Sequence, residues 1–178
     1  MDLNKLADVL GKVKDLKRQG WCNLEVSGSE SVAAHSYGVA LLAYLLCPEN
    51  LNKQKCLEFA IVHDLAEIIV GDITPGENVP ANVKHDMEVN AIRKIAADLN
   101  KPELAELFIE YERQDTPEAD FVKRLDRLDA VALAKYYDDD NRTNFYKENN
   151  VGYDSLYDEF ETNHRDMIAP IIDIMKKG

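Results

Sequence analysis

Apolar residues recur along this chain at spacings of three and four, the period of a helix with one buried face, and no run alternates as a half-buried strand would. Leu3, Leu6, Val9, Leu10, Val13 and Leu16 share one face of a first helix predicted over residues 3–18, which Gly20 ends. A loop follows through Trp21 and Gly28. Ser29 or Ser31 caps a second helix that stops before Cys47-Pro48. A third is predicted over 52–70 and closed by Gly71, and the stretch 72–80, with Pro75, Gly76 and Pro80, reads as an ordered loop. Further helices are predicted over 82–99, 102–113, 117–137 and 154–175, with a polar loop over 138–152. The pattern predicts an all-α fold of six or seven helices, without repeats.

Polar residues break the third helix's apolar pattern. Phe59, Ala60, Ile61, Val62, Leu65, Ala66, Ile68 and Ile69 surround it on nearly every side, which predicts a central, buried helix. Set into it are His63, Asp64 and Glu67, which a continuous helix holds within an arc of about 100°. Burying such groups without partners is costly, and a divalent cation compensates directly. The dipeptide alone proves little, because a second His-Asp pair, His85-Asp86, sits between Lys84 and Glu88 in the first turn of a helix, where solvent satisfies it. His35 lies on the stripe His35, Val39, Leu42, Leu46 and faces inward; alone it reads as a core histidine or a ligand. Asp126 lies beside the stripe Val122, Leu125, Asp129, Leu133, Tyr136, and alone it reads as a ligand or as a partner for a neighbouring arginine. Two imidazoles and two carboxylates together suit Mn²⁺, Co²⁺, Fe²⁺, Ni²⁺ or Zn²⁺. Such an ion polarises a phosphoryl group and lowers the pKa of its water.

Length and charge narrow the picture. The 178 residues fit one domain, with 46% hydrophobic and 30% charged residues as in globular proteins. Against 33 Asp plus Glu stand 21 Lys plus Arg, a net charge of -12 that repels nucleic-acid backbones. A small anionic substrate then needs a local cation. The longest apolar run, 39–47, is short of the ~18 residues of a membrane helix. The start lacks the pattern of a signal peptide, and the odd trio Cys22, Cys47 and Cys56 suits a reducing cytoplasm.

The order His35, His63-Asp64, Asp126 resembles the HD-domain metal-dependent phosphohydrolases. More narrowly, Leu16-Lys17-Arg18…Gly20-Trp21, Glu30 to Ser36, the long His63-Asp64-Leu65-Ala66-Glu67…Gly71-Asp72…Pro75 stretch and Phe121 to Asp126 resemble their 5′-deoxynucleotidase branch over nearly the whole chain. The resemblance implies one HD domain over 1–178, its site within about 29–137 and a C-terminal helical extension over about 141–176. It implies a divalent metal, Mn²⁺ or Co²⁺ before Mg²⁺, Zn²⁺, Fe²⁺ or Ni²⁺, held by His35, His63, Asp64 and Asp126. Glu67 then assists the attacking water, Asp72 completes the site or shares a second ion with Glu67, and Trp21 lies near the sugar and favours 2′-deoxyribose. Arg18 and Lys123 are candidates for the phosphate. The reaction implied is hydrolysis of a deoxyribonucleoside 5′-monophosphate by a cytoplasmic homodimer, with the aromatics Tyr136 to Phe160 as candidate dimer contacts. Two positions depart from the pattern: bacterial members have an arginine where this chain has Gly20, and many members have an acidic residue where it has Ala34.

Overall fold

The computed structural model describes residues 2–143, which form eight α-helices, a 3₁₀ turn and one isolated bridge between Lys17 and Ser31. In chain order these are α1 Leu3–Asp15, α2 Gln19–Asn23, α3 Val32–Leu46, α4 Lys53–Val62, α5 Glu67–Val70, α6 Ala81–Leu99, α7 Glu103–Arg113 and α8 Pro117–Asp139, with the 3₁₀ turn Pro75–Glu77 before α6. The fold is all-α. The helix predicted over 154–175 and the aromatics from Phe145 to Phe160 lie outside the described residues.

Local chemistry accounts for the starts. Ser31 is the cap of α3, accepting the Ala34 N–H at 3.3 Å; Asn52 accepts the Lys55 N–H at 3.2 Å before α4. Thr116 accepts the Ala119 N–H at 3.2 Å, with Pro117 at the first helical position of α8, where its missing N–H costs nothing.

Four predicted elements need correction, the first because pairing with a distant segment overrides the local pattern. The first helix stops at Asp15. Residues 16–18 run extended because their backbone pairs with residues 30–32, Val32 N–H to Leu16 O at 2.8 Å and Arg18 N–H to Glu30 O at 3.2 Å. Trp21, expected in a loop, lies in the short helix α2. The third helix is two helices, α4 and α5, neither buried all round: Ile61 is 62% exposed and Ile69 45%. Finally, α8 runs two residues past its predicted end, and Asp138, expected in a solvated loop, is buried.

The core frames the site. Val39 and Ala43 of α3, Phe59 and Ala60 of α4, and Val122, Leu125 and Leu128 of α8 are buried in one apolar cluster, to which α7 adds Tyr111. Each large side chain so buried contributes about 1.5–3 kcal/mol. The cluster therefore locks together the helices that carry His35 and Asp126 and the one that ends at His63. A second cluster joins Ile92, Ile95 and Leu99 of α6 to Phe108 of α7 and to Ala66.

Candidate active site

The break between α4 and α5 falls on the most polar part of the predicted third helix. His63 caps α4, and residues 63–66 form tight turns: Leu65 N–H bonds Val62 O at 3.0 Å, Glu67 N–H bonds Asp64 O at 3.0 Å and Ile69 N–H bonds Ala66 O at 3.1 Å. Bonds three residues back are 3₁₀ geometry, in which side chains at i and i+3 eclipse. Asp64 and Glu67, about 60° apart around a regular helix, are thus drawn closer to one line.

Four acceptor atoms converge from three parts of the chain. His35 Nε2 lies 3.1 Å from Asp126 Oδ1, 3.4 Å from His63 Nε2 and 3.6 Å from Asp64 Oδ2, and His63 Nε2 lies 3.3 Å from Asp64 Oδ2. Both imidazoles are buried, and each has its far nitrogen occupied: His35 Nδ1 by Asp129 Oδ2 at 2.8 Å, His63 Nδ1 by Ala60 O at 3.0 Å. When neutral, a ring with its proton on Nδ1 offers a lone pair at Nε2. Neighbouring ligands about 2.1 Å from an ion stand roughly 3.0–3.5 Å apart; His35, His63 and Asp126 offer ligand atoms that all lie within 4.8 Å of one another, and Asp64 stands beside the two imidazoles but outside that group.

The electrostatics point the same way. Burial pulls the His35 pKa down, but hydrogen bonds to Asp126 and Asp129 outweigh it and carry it up to about 10, so a proton stays on this ring unless another cation replaces it. Burial pushes Asp64 up, yet His63, His35 and Arg18 hold it well below the usual carboxylate range. Asp126 is likewise low, against its burial, through His35 and Lys123.

Glu67 is the opposite case. It is buried, its Oε2 has no hydrogen-bond partner among the described residues, and burial together with Asp64 and Asp72 raises its pKa to about 10. A carboxyl held neutral by neighbouring anions ionises when a cation offsets them.

Two clefts border this cluster. One, of about 230 Å³, is lined by Arg18, Gly20, Trp21, Asp72 and Thr74 among others. Arg18 is turned inward, 3.1 Å from Asp64 Oδ2 and 3.8 Å from Asp72 Oδ1. Asp72 Oδ2 accepts the Gln19 N–H at 2.6 Å, tying the loop after α5 to the start of α2. Trp21 is held by its N–H donated to Glu30 Oε1 at 3.1 Å and by Tyr137 edge-on at 5.3 Å. The second cleft, of about 240 Å³, opens on His63, Asp64, Glu67, Lys84, Tyr111 and Lys123. Lys123 Nζ donates to Asp126 Oδ2 at 2.9 Å and is half-exposed. The departures carry little strain: nothing lies within 4 Å of a Cβ at Gly20, and Ala34 is exposed.

Sequence reasoning missed several residues. Asp129 sits on an apolar stripe at i+3 from Asp126, a charge among hydrophobes that could have flagged it. Glu30, as the partner of Trp21, and the unpartnered Tyr111 hydroxyl carry no comparable signal.

Known proteins place this arrangement. Residues 10–168 match the HD domain family. A human protein named 5′-deoxynucleotidase HDDC2 is 42% identical over 135 residues, 74% of this chain and 66% of its own length. A Dictyostelium discoideum protein of the same name is 34% identical over 161 residues, 84% of this chain and 83% of its own. The crystal structure of the PH0347 protein from Pyrococcus horikoshii superimposes with a TM-score of 0.74 at 30% identity, over 99% of this chain and 97% of that one. The chain thus spans about two thirds of the length of the human relative.

Proposed function

From the fact that this chain belongs to the HD domain family, we propose that it is a metal-dependent 5′-deoxynucleotidase, hydrolysing deoxyribonucleoside 5′-monophosphates to deoxynucleoside and phosphate. The observation that carries the reading is the convergence of His35 Nε2, His63 Nε2 and Asp126 Oδ1 within 4.8 Å of one another, with Asp64 Oδ2 3.3 Å from His63 Nε2. These four residues hold the divalent ion, Mn²⁺ or Co²⁺ foremost. When bound, such an ion supplies Lewis-acid polarisation of a phosphoryl oxygen and lowers the pKa of water.

The chain's own groups do the rest. Glu67, buried beside Asp64 with a free carboxyl oxygen, orients and deprotonates the attacking water. Arg18 and Lys123, already paired with Asp64 and Asp126, bring positive charge to the phosphate in an otherwise acidic protein. Asp72 anchors the loop that walls the first cleft. There the fixed face of Trp21 packs on the sugar, where a 2′-hydroxyl finds no partner on the indole. The protein works in the cytoplasm as a homodimer. Three free thiols support the compartment. The outer face of α3, with Tyr37, Leu41, Tyr44 and Leu45 exposed, supports the second copy. Among the described residues no helix is long and apolar enough to cross a membrane.

The test is phosphate release from dAMP, dGMP, dCMP, dTMP and dUMP against the matching ribonucleotides, using metal-stripped protein reloaded with Mn²⁺, Co²⁺, Mg²⁺ or Zn²⁺. Metal-dependent release favouring the deoxy substrates is the expected result. Hydrolysis of triphosphates or cyclic nucleotides instead would move the activity elsewhere among phosphohydrolases, and ion binding without any hydrolysis would leave a non-catalytic module.

A further inference from the structure

We propose that Asp129 is a positioning residue that fixes the ring of His35 for its part in the ligand set, and that Gly38 is the residue that makes room for it. The inference rests on the metal-site reading above. A histidine can offer Nε2 to a cation only with its remaining proton on Nδ1, and a buried Nδ1–H needs an acceptor that also sets the ring's angle. His35 is fully buried, with Nδ1 2.8 Å from Asp129 Oδ2 and Nε2 3.1 Å from Asp126 Oδ1. Asp126 and Asp129 stand three residues apart on α8, so one helix face grips both edges of the ring.

Among the described residues one other carboxylate approaches this edge. The acceptor atoms of Glu30, His35 and Asp129 lie within 4.8 Å of one another. Glu30 Oε1, however, takes the Trp21 N–H, which leaves Asp129 to His35.

Gly38 lies one turn after His35 on α3. A Cβ built there falls 2.1 Å from Asp129 Oδ1 and 2.9 Å from its Cγ, closer than side chains pack. The carboxylate therefore lies against the bare backbone of α3. The helix carries its poorest former but proline at a mid-helix position where alanine would otherwise strengthen it. Any side chain at 38 swings Asp129 off His35 Nδ1.

The test uses the full-length, metal-stripped protein. Mn²⁺ affinity is read by competition with a chelating dye, and the His35 Nδ1–H is read by ¹⁵N NMR of the Zn²⁺-loaded protein. Asp129→Ala is expected to weaken Mn²⁺ binding about 10–100-fold and to lose the Nδ1–H signal. Asp129→Asn, which keeps an acceptor oxygen, recovers part of both. Gly38→Ala is expected to weaken binding to a similar degree despite its better helix former. The double variant Gly38→Ala/Asp129→Ala should bind no more weakly than Asp129→Ala, because the collision needs the carboxylate. Should Asp129→Ala fail to fold, Gly38→Ala and Asp129→Asn carry the same readouts. Unchanged affinity with the Nδ1–H signal intact in Gly38→Ala, or additive losses in the double variant, would overturn the proposal. A wild type that binds and hydrolyses, alongside an Asp129→Ala variant that equals it, sinks this inference alone. A wild type that does neither sinks the deoxynucleotidase reading and this inference with it.

Discussion

The chain contains the same dipeptide twice, and the two copies live in different worlds. His63-Asp64 sits where α4 breaks, with His63 buried, its Nδ1 tied to Ala60 and its Nε2 facing another imidazole and a carboxylate. His85-Asp86 lies on α6, which begins at Ala81, so the pair falls in the second turn rather than the first; both residues are exposed, and His85 Nδ1 lies 3.5 Å from Glu112 Oε2. Each is followed by a buried glutamate. Glu88 has Lys84 within 3.6 Å, whereas Glu67 Oε2 has no hydrogen-bond partner among the described residues. The chemistry comes from burial without compensation. A residue type repeated in solvent carries none of it.

The largest expected effect comes from truncating the buried copy. His63→Ala or Asp126→Ala should abolish stoichiometric metal binding and lower turnover by roughly 10³-fold or more, as measured by metal analysis and phosphate release. Wild-type turnover in either variant would break the ligand assignment.

Next, Glu67→Gln should lower kcat about 10²–10⁴-fold, while Glu88→Gln changes it little. The same substitution should stabilise the metal-free protein. The folded pKa of Glu67, about 10, lies above the ordinary 4.5, so the folded wild type resists ionisation and loses stability as pH rises from 4.5 toward 10. Glutamine has no such slope. Relieving an unpaired buried acid is worth about 1–3 kcal/mol, readable as a higher melting temperature at pH 8. A Glu67→Gln variant that melts lower than wild type there would contradict the assignment of that oxygen as unpaired.

The pH dependence of ion binding comes third. His35 has a folded pKa of about 10 against 6.5 unfolded, so its contribution to the metal-free protein is full below pH 6.5 and lost as pH rises through 10. An incoming ion must displace that proton, so apparent affinity should rise about tenfold per pH unit between pH 7 and 9. Mn²⁺ should therefore raise the melting temperature more at pH 8.5 than at pH 6.5. A flat response would mean that His35 is not a ligand.

Smaller still, Trp21→Ala should cut the preference for deoxy over ribo substrates by about tenfold, in kcat/KM ratios. At the bottom of the scale, His85→Ala and Asp86→Ala should leave stability within about 0.5 kcal/mol and turnover near wild type. A large loss from either would erase the contrast between the two dipeptides.

Much of the frame was legible in the sequence, because helical periodicity and caps are local. The spacing of α6, α7 and α8 is readable within a residue or two at each end, and so are the inward positions of His35 and Asp126. The partition of residues 52–70 into two helices was not legible. No Gly or Pro interrupts the stretch, and the turn comes where the 63–66 segment packs, with Ala66 drawn into the α6 cluster. Trp21 could not be placed in a helix, because α2 follows from residues 16–18 pairing with 30–32, a contact between segments that no local pattern encodes.

The sequence by itself determined the all-α class, the acidic surface and the set of groups too polar for the helices that carry them, since propensity, periodicity and charge are properties of neighbours along the chain. Only the tertiary structure decided what those groups face. It brought His35 within 3.4 Å of His63, turned Arg18 onto Asp64, left Glu67 with an unsatisfied oxygen and laid Asp129 against the bare backbone of Gly38. Each depends on the angle at which packed helices cross, and that angle is settled by the whole core at once.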